Sequence, residues 1–532
     1  MVSRRQVPNT IISVVTASNS GSTANVVTKI SPSASAASAA LPRCGTRESE
    51  KTRTKAGHRL KPAIESTAPV FVPALVEETC CAVIFTTVGP LTGRPVTAVF
   101  VIDDSGGTLP NARNCRYGAM LWGLLVSAMP LAANATALAA DPATPDREPI
   151  RIGMSAAFQG PSRQVGIELY RGIATYFSEV NRRGGIQGRP LQLIAYNDSY
   201  QPDRAVDNAL RLLETDKVLL LLGFTGTEPV TRVLPLLKKY DSDHGLMFFP
   251  FTGGAAVREA PYDGLVFNLR PSYRQETEAL VGELVAHGHQ RIAVFYQSDS
   301  FGRSGWGGVR KALTDRHLQL VGEATYARGT MYTGSLDRQV AILQSAKPDA
   351  IICIATYAAS AAFIRDARRA DLNVPITTVS FASLDSVVSL LRQIGAEDQR
   401  DYLQQLLFSS VVPDPKTSAF PAVKEYRALM NQAAALPPTA LLDANYQPSG
   451  YNRTSLEGFL DAKLLVAMLN RLGKNLTRAS LAAAVVGMKD LDIGLQHPLS
   501  FQGRNQASDE VYFDAINSSE VAGKSAVDEA NK

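Results

Sequence analysis

Strand-like and helix-like segments alternate along the chain from residue 149 to residue 517. Continuous apolar runs such as VLLLLG (218–223) predict strands that are buried on both faces, as in parallel sheets. Segments with helical spacing, such as residues 167–182, stand between these runs. The alternation occurs as two successive sets. It therefore predicts an α/β fold with two doubly wound parallel-sheet lobes.

The first 113 residues lack this alternation and are rich in Ser, Thr, Ala and Val. They contain only short β-like runs, such as VTAVFVI (96–102). We expect residues 1–113 to be an extension that is disordered or lies upstream of the true start.

Residues 114–140 have the layout of a secretory signal peptide. Arg116 precedes an apolar core over residues 119–133, and a small-x-small pattern follows at residues 137–139. The apolar core is short for a membrane span, and the alternative interpretation is a buried apolar helix. We therefore expect a periplasmic protein secreted through this signal peptide. The polar stretch 518–532 is predicted to be a disordered tail.

Charge is distributed unevenly along the 532 residues. The formal net charge is +5, but 13 of the 54 basic and only 7 of the 49 acidic residues fall in residues 1–140. The remainder carries 41 basic and 42 acidic residues and shows no net basic footprint for nucleic acid. A chain of this length is expected to hold more than one domain.

The motifs of the common enzyme classes are missing from the chain. Four of the five cysteines precede residue 120, and the fifth, Cys353, lies inside the apolar run AIICIA, where a buried and inert thiol is expected. No HExxH spacing, phosphate-binding loop or GxSxG elbow occurs. We expect a protein that is not an enzyme and that carries no metal and no cofactor.

Hydroxyl groups and glycines stand where the predicted strands end. In open parallel sheets, ligands bind beyond the carboxyl ends of the strands. Thr225, Gly226 and Thr227 follow one strand and precede a helix that begins near Pro229. The free N–H groups and the positive dipole end of that helix favour an anion such as a carboxylate. The alternative is ordinary helix capping by threonine.

The predicted ligand site takes further residues from the other strand ends. Its four aromatic members either wall an apolar pocket or pack in the core, and its aspartate either pairs with a ligand ammonium or caps the next helix. These further residues are Gln159, Phe251, Thr252, Gly253, Asp299, Phe301, Tyr357, Phe381 and Ser383.

Seven segments of the chain resemble one family. Their order and spacing are similar to those of the periplasmic substrate-binding proteins of branched-chain amino acid transporters, the type that contains the leucine/isoleucine/valine-binding protein. The segments are IRIGMSAAFQGP (150–161), NRRGGIQGRPLQLIAYND (181–198), LLGFTGTEP (221–229), PFTGGAAVREA (250–260), VFNLRPSYRQE (266–276), RIAVFYQSDSFGRSG (291–305) and SLEGFLDAKLLVAML (455–469).

The resemblance implies two lobes joined by several crossovers, with a ligand cleft between them. It places residues 149–270 and about 413–497 in the first lobe, and residues 271–412 and about 498–517 in the second. The threonine loops would hold the ligand carboxylate, and Tyr357 would approach from the second lobe.

Two positions depart from the family pattern. Val165 stands where the family has a tyrosine, and the family's acidic residue that would hold a ligand ammonium is replaced at Phe381, Ala382 and Ser383. Besides an amino acid, an aromatic acid, an amide or a small nitrogenous compound is therefore an open alternative.

The family implies the periplasmic solute-binding component of an ABC uptake transporter. Such a protein captures a small amino acid or carboxylate-like ligand by hinge closure and then docks, as a monomer, on a membrane permease. The alternative is a periplasmic sensor that presents its closed form to a receptor or regulator. An enzyme would need a convergent base and nucleophile, which the sequence does not show.

Overall fold

The computed structural model describes residues 82–88, 96–102, 148–239, 245–443, 446–474 and 476–516. Strands β1 (Ala82–Val88) and β2 (Val96–Ile102) pair in antiparallel fashion and belong to a unit separate from residues 134–532. The predicted signal peptide and the tail lie outside the described residues, as does the rest of the extension. Among the described residues, no helix has both the length and the apolar character needed to cross a bilayer.

The first lobe is built on a five-stranded parallel sheet in the order β4-β3-β5-β6-β7. Separate apolar clusters lie on its two faces, one including helix α1 and the other helices α2 and α3. The elements are β3 (Ile150–Ala156), α1 (Arg163–Arg182), β4 (Leu191–Asn197), α2 (Pro202–Leu210), β5 (Leu220–Leu222), α3 (Thr227–Lys239), β6 (Met247–Phe248) and β7 (Val266–Phe267).

The second lobe repeats this order in a six-stranded sheet, β13-β12-β11-β10-β8-β9. All neighbouring strands are parallel except the edge pair β12 and β13. The elements are α4 (Tyr273–Ala286), β8 (Ile292–Gln297), α5 (Ser300–Thr314), β9 (Gly322–Tyr326), α6 (Asp337–Ser345), β10 (Ala350–Ile354), α7 (Tyr357–Arg369), β11 (Ile376–Thr378), α8 (Leu384–Asp398) and β12 (Leu406–Ser410). The predicted fold class of two doubly wound parallel-sheet lobes is confirmed.

The chain then returns to the first lobe with α9 (Pro421–Ala433), α10 (Arg453–Leu472) and α11 (Arg478–Val485). Helix α10 lies directly against α1 because both helices carry a glycine at the contact. A Cβ atom on Gly172 would be 1.9 Å from the carbonyl oxygen of Ser455, and one on Gly458 would be 2.2 Å from that of Leu169. Only glycine permits this close approach.

The last strand, β13 (Tyr512–Ile516), returns to the second sheet. We expected that return at about residue 498, which is too early. Phe501 still stacks on Phe249 of the first lobe at 6.3 Å between ring centroids, and Asn505 donates to the carbonyl oxygen of Val266 at 3.0 Å. These contacts hold residues 501–506 against the first sheet.

In each sheet the order of the strands reverses between its first and third strands, β3 and β5 in one lobe and β8 and β10 in the other. Ligands of open α/β sheets bind at this switch point, outside the carboxyl ends of the strands. The loops that follow these four strands therefore lie where a ligand site is expected.

Candidate functional site

The two threonine loops of the first lobe lie side by side and bond to each other. The Oγ1 atoms of Thr227 and Thr252 are 2.7 Å apart, and Thr252 Oγ1 accepts the N–H of Gly254 at 3.0 Å. Thr225 donates instead to the carbonyl oxygen of Gly223 at 3.2 Å. All three threonines are buried. The structure brings the loops together as predicted, with their hydroxyl groups bonded within the first lobe.

Gly226 is required by its backbone conformation and by a neighbouring ring. Its φ angle is +97°, and a Cβ atom there would lie 2.2 Å from the ring of Tyr200. The N–H of Tyr200 is held at 2.8 Å by the carboxylate of Asp198, whose other oxygen accepts the hydroxyl of Ser155 at 2.7 Å. The sequence analysis missed Tyr200, although it follows a strand that was predicted correctly.

Five aromatic rings fill the contact between the lobes, and we call this set the aromatic junction. Phe381 of the second lobe lies 5.6 Å from Phe251 of the first, measured between ring centroids. It also lies 4.7 Å from Phe301. Tyr200 and Tyr273 complete the set. All five rings are buried.

Hydrogen bonds also join the two lobes beside the aromatic junction. Gln297, at the end of β8, donates to the hydroxyl of Tyr200 at 3.3 Å. The N–H of Ser300 donates to Glu228, in the first turn of α3, at 3.1 Å. The described arrangement is therefore one in which the lobes are closed on each other at this point.

A buried guanidinium lies behind the junction, in the first crossover between the lobes. Arg270 stacks over Phe251 at 4.3 Å and pairs with Glu457 of α10 at 2.9 Å. Its Nη2 atom donates to the hydroxyl of Ser380, in the turn that carries Phe381, at 2.9 Å. Burial raises the pKa of both Glu457 and the neighbouring Asp461, and Arg270 opposes the rise in each. Arg270 thus ties the first crossover to both lobes.

The remaining polar residues of the predicted site form hydrogen bonds with neighbouring residues. Asp299 caps α5 by accepting the N–H groups of Phe301 and Gly302, so the capping alternative describes its position. Gln159 accepts from the side-chain amide of Asn197 at 3.0 Å. Ser383, with a φ angle of +56°, lies 3.1 Å from Ser386 between hydroxyl oxygens.

Tyr357 lies elsewhere, on the wall of a cavity of about 390 Å³ between the lobes. The first lobe contributes the start of α1, including Arg163 and Gln164, and the second contributes the starts of α7 and α8, including Asp385. Residues 447–449 also line it. The volume falls within the range of small-molecule sites. Of the twelve predicted residues, Tyr357 is the member that lines this cavity.

The segment that closes one side of the cavity is fastened by a single buried carboxylate. Glu168 of α1 accepts the hydroxyl of Tyr446 and, at 3.0 Å, the N–H of Ser449. Arg171 pairs with the same carboxylate at 2.6 Å and donates to the carbonyl oxygen of Ser449 at 2.9 Å. These contacts attach this wall to the first lobe.

The sequence analysis missed an acidic residue on the second-lobe wall. Asp385 stands two positions after Ser383, in the first turn of α8, and its Oδ2 atom accepts the N–H of Arg453 at 3.1 Å. Its place just after a strand end was the signal that could have found it. In the described ranges, no group of His, Cys, Asp or Glu side chains is arranged to hold a metal ion.

Comparisons with known proteins agree with this architecture. A family model for periplasmic binding proteins matches residues 149–520. The solved structure of a possible leucine/isoleucine/valine-binding protein from Rhodopirellula baltica SH 1 is 30% identical, with a TM-score of 0.61, and covers 71% of this chain and 98% of its own.

Two curated relatives are more distant in sequence. An amino acid binding protein of Pseudomonas aeruginosa is 22% identical over 61% of this chain and 79% of its own length. A Leu/Ile/Val-binding protein homolog of Brucella melitensis is 27% identical over 42% of this chain, which spans little more than half (57%) of that relative. The chain therefore belongs to the periplasmic binding protein family, in the branched-chain amino acid type that its sequence resembles.

Proposed function

We propose that this protein is the periplasmic solute-binding component of an ABC uptake transporter. In this proposal a small solute that carries a carboxylate binds between the lobes, and the closed form docks on a membrane permease. The observation that carries the proposal is the cavity at Tyr357, because both lobes line it. A solute that touches both walls stabilises the closed arrangement relative to an open one.

The chemistry of the cavity wall supports a carboxylate. Arg163 supplies a positive charge at the first residue of α1, where the helix dipole has its positive end. The hydroxyl of Tyr357 accepts the N–H of Gln164 in a long contact of 3.5 Å, which leaves its own proton available to an acceptor. The relatives named for amino acids point to the same broad class of solute.

The cavity and the aromatic junction are parts of one cleft in this proposal. Phe381 lies in the junction, and Asp385, four residues later, lies on the cavity wall. The threonine loops and the aromatic rings therefore form the closed floor of the cleft, and the cavity above it receives the solute. The alternative, a periplasmic sensor, is tested by the partner that the closed form binds: a membrane permease for a transporter component, a receptor or regulator for a sensor.

The test is a thermal-shift screen of the full chain against amino acids, aromatic acids, amides, amines and purines. A solute present at about a hundred times its dissociation constant adds about 2.7 kcal/mol to the free energy of unfolding. We expect at least one carboxylate to raise the melting temperature, and Tyr357→Ala to remove the rise without lowering the melting temperature of the unbound protein by more than a few degrees. A screen without any stabilising solute contradicts the proposal.

A further inference from the structure

The walls of the cavity carry opposite charges on opposite lobes. The first-lobe wall has Arg163, whose ion pair with Asp443 is long, at 3.5 Å, and partly exposed, with 43% and 39% of the two side chains accessible. Exposed pairs of this kind contribute little and exchange readily with other partners. The guanidinium of Arg163 is therefore free to face an anionic group in the cavity.

The second-lobe wall carries one carboxylate, that of Asp385, and its cationic partner is shared with other carboxylates. Arg453 faces Asp385 at 3.5 Å, Asp414 at 3.2 Å and Asp514 at 2.5 Å. One guanidinium is thus the ion-pair partner of three carboxylates. Both contacts of Asp385 use its Oδ2 atom, which leaves Oδ1 available. A cationic group in the cavity would offset this negative charge at little cost in desolvation, because Asp385 retains some exposure.

The donors for an anion converge at the start of α1. Arg163, the N–H of Gln164 and the hydroxyl of Tyr357 come from two lobes. The N–H donates to the hydroxyl only in a long contact of 3.5 Å, so an anion placed between them accepts from both. The Tyr357 side chain is 9% exposed, and its proton has no acceptor in the part of the chain that the structure describes. Three donors from two lobes define one subsite, and Asp385 defines the other.

We propose that the solute is a zwitterion whose carboxylate and cationic group are separated by a chain of several atoms, as in an ω-amino acid. Its carboxylate binds Arg163, Gln164 and Tyr357, and its cationic group binds Asp385. This inference rests on the proposed function and names the class of solute for the same site.

The size of the cavity favours separated charges over an α-amino acid. A roughly spherical cavity of this volume is about 9 Å across. The two charged groups of an α-amino acid share one carbon atom and lie about 3 Å apart, whereas those of extended 6-aminohexanoate lie about 7 Å apart. Only the longer molecule reaches both subsites at once.

The experiment compares 6-aminohexanoate with L-leucine, which has the same atoms but carries its ammonium beside the carboxylate. Hexanoate lacks the ammonium group and hexylamine lacks the carboxylate, and these two compounds complete the set. Thermal shift and calorimetry on the full chain are expected to show binding of 6-aminohexanoate at least about tenfold tighter than that of the other three, which corresponds to about 1.4 kcal/mol. The wild-type comparison needs no variant, so it does not depend on the folding of a mutant.

Two variants then test which residue binds each charged group of the solute. Asp385→Asn is expected to bring the affinity for 6-aminohexanoate down to that for hexanoate, and Arg163→Gln to bring it down to that for hexylamine. Failure of 6-aminohexanoate to bind overturns the inference. If L-leucine or another solute of the wider panel binds instead, the inference fails while the proposed function stands. If no solute binds, both fail.

Discussion

The aromatic junction and the cavity are neighbouring parts of the same interlobe contact, yet they are built from different chemistry. The junction consists of buried rings, with Phe251 and Phe381 in contact across the lobes and Arg270 stacked behind them. The cavity is lined by charged and polar side chains that keep part of their exposure, such as Arg163 and Asp385. The difference indicates that one part holds the lobes together and the other is available to a solute.

The same segment of chain serves both parts. Residues 380–386 place Phe381 in the junction and then Asp385 in the cavity, with the left-handed Ser383 between them. Truncations on the two sides of Ser383 are therefore matched tests. Truncation of a junction side chain before Ser383 should lower stability, and truncation of a cavity side chain after Ser383 should change the binding of the solute.

The largest effect is expected from the buried ion pair behind the junction. Glu457→Ala leaves the charge of Arg270 without its closest partner, at 2.9 Å, in a buried site. Loss of one partner of a buried pair typically costs about 3–5 kcal/mol. Urea unfolding should show a decrease of about 3 kcal/mol, at the lower end of that range, because Glu276 remains near the guanidinium. Asp461→Asn is the control and should leave stability unchanged or raise it, since burial already disfavours its charge.

Truncation of a junction ring should cost nearly as much. Phe381→Ala removes a ring that contacts Phe251, Phe301 and Tyr200 and is 2% exposed. Such changes cost about 3–5 kcal/mol when the cavity stays open, and we expect slightly less than 3 kcal/mol because the three neighbouring rings can move into the space. The matched control is Leu390→Ala on the cavity wall, where the side chain is only partly buried and the cost should be about 1 kcal/mol. Equal losses in the two variants would contradict the division between junction and cavity.

A pH dependence is expected from the carboxyl group that positions Tyr200. Burial raises the pKa of Asp198 to about 7, against the opposing hydrogen bonds from Ser155 and Tyr200. The folded chain therefore binds more protons than the unfolded chain between about pH 4 and pH 7, and the free energy of unfolding falls as the pH rises through that window.

Asp198→Asn should remove this decline, which between pH 5 and pH 8 amounts to about 2 to 3 kcal/mol. Urea unfolding of the variant and the wild type at pH 5 and pH 8 measures the effect. We expect the difference in the free energy of unfolding, variant minus wild type, to be larger at pH 8 than at pH 5. A difference between the two proteins that does not change with pH would show that Asp198 titrates normally.

The smallest effect is expected from the threonine pair at the floor of the cleft. Thr252→Ala removes the 2.7 Å contact with Thr227 and the acceptor for the N–H of Gly254. A lost buried hydrogen bond costs about 1–3 kcal/mol, and we expect a loss near the lower end because Thr227 can rotate toward another partner. Thr252→Ser is the control and should retain the wild-type stability. Thermal unfolding distinguishes them.

The helices and strands were predicted correctly where a single pattern, an apolar run or a helical spacing, identifies the element. Long apolar runs such as VLLLLG and AIICIA became β5 and β10, and helical spacing at residues 167–182 became the body of α1. The short strand β7 (Val266–Phe267) was not predicted, because two residues carry no periodicity. The boundary near residue 498 was misplaced because Phe501 packs against Phe249, a contact remote in sequence.

Several loops that the sequence analysis named lie together in the structure, and their role in ligand binding stays a prediction. Strand ends identified Thr225, Thr252 and Phe381, because parallel strands bring their carboxyl ends to one edge. Arg270, Tyr200 and Asp385 were missed because their partners lie on other elements: Glu457 on α10, Gln297 at the end of β8, and the N–H of Arg453. The spacing of residues within one segment does not predict such contacts between elements.

The sequence by itself determined the class of the fold, the family and the edge of each sheet where a ligand site is expected. These properties follow from periodicity, turn residues and strand order, which are local or repeat along the chain. The tertiary structure alone decided that the aromatic residues close the floor of the cleft while Arg163, Tyr357 and Asp385 line the cavity above it. That division depends on the distance and angle between the two lobes, and therefore on contacts between residues that are far apart in the chain.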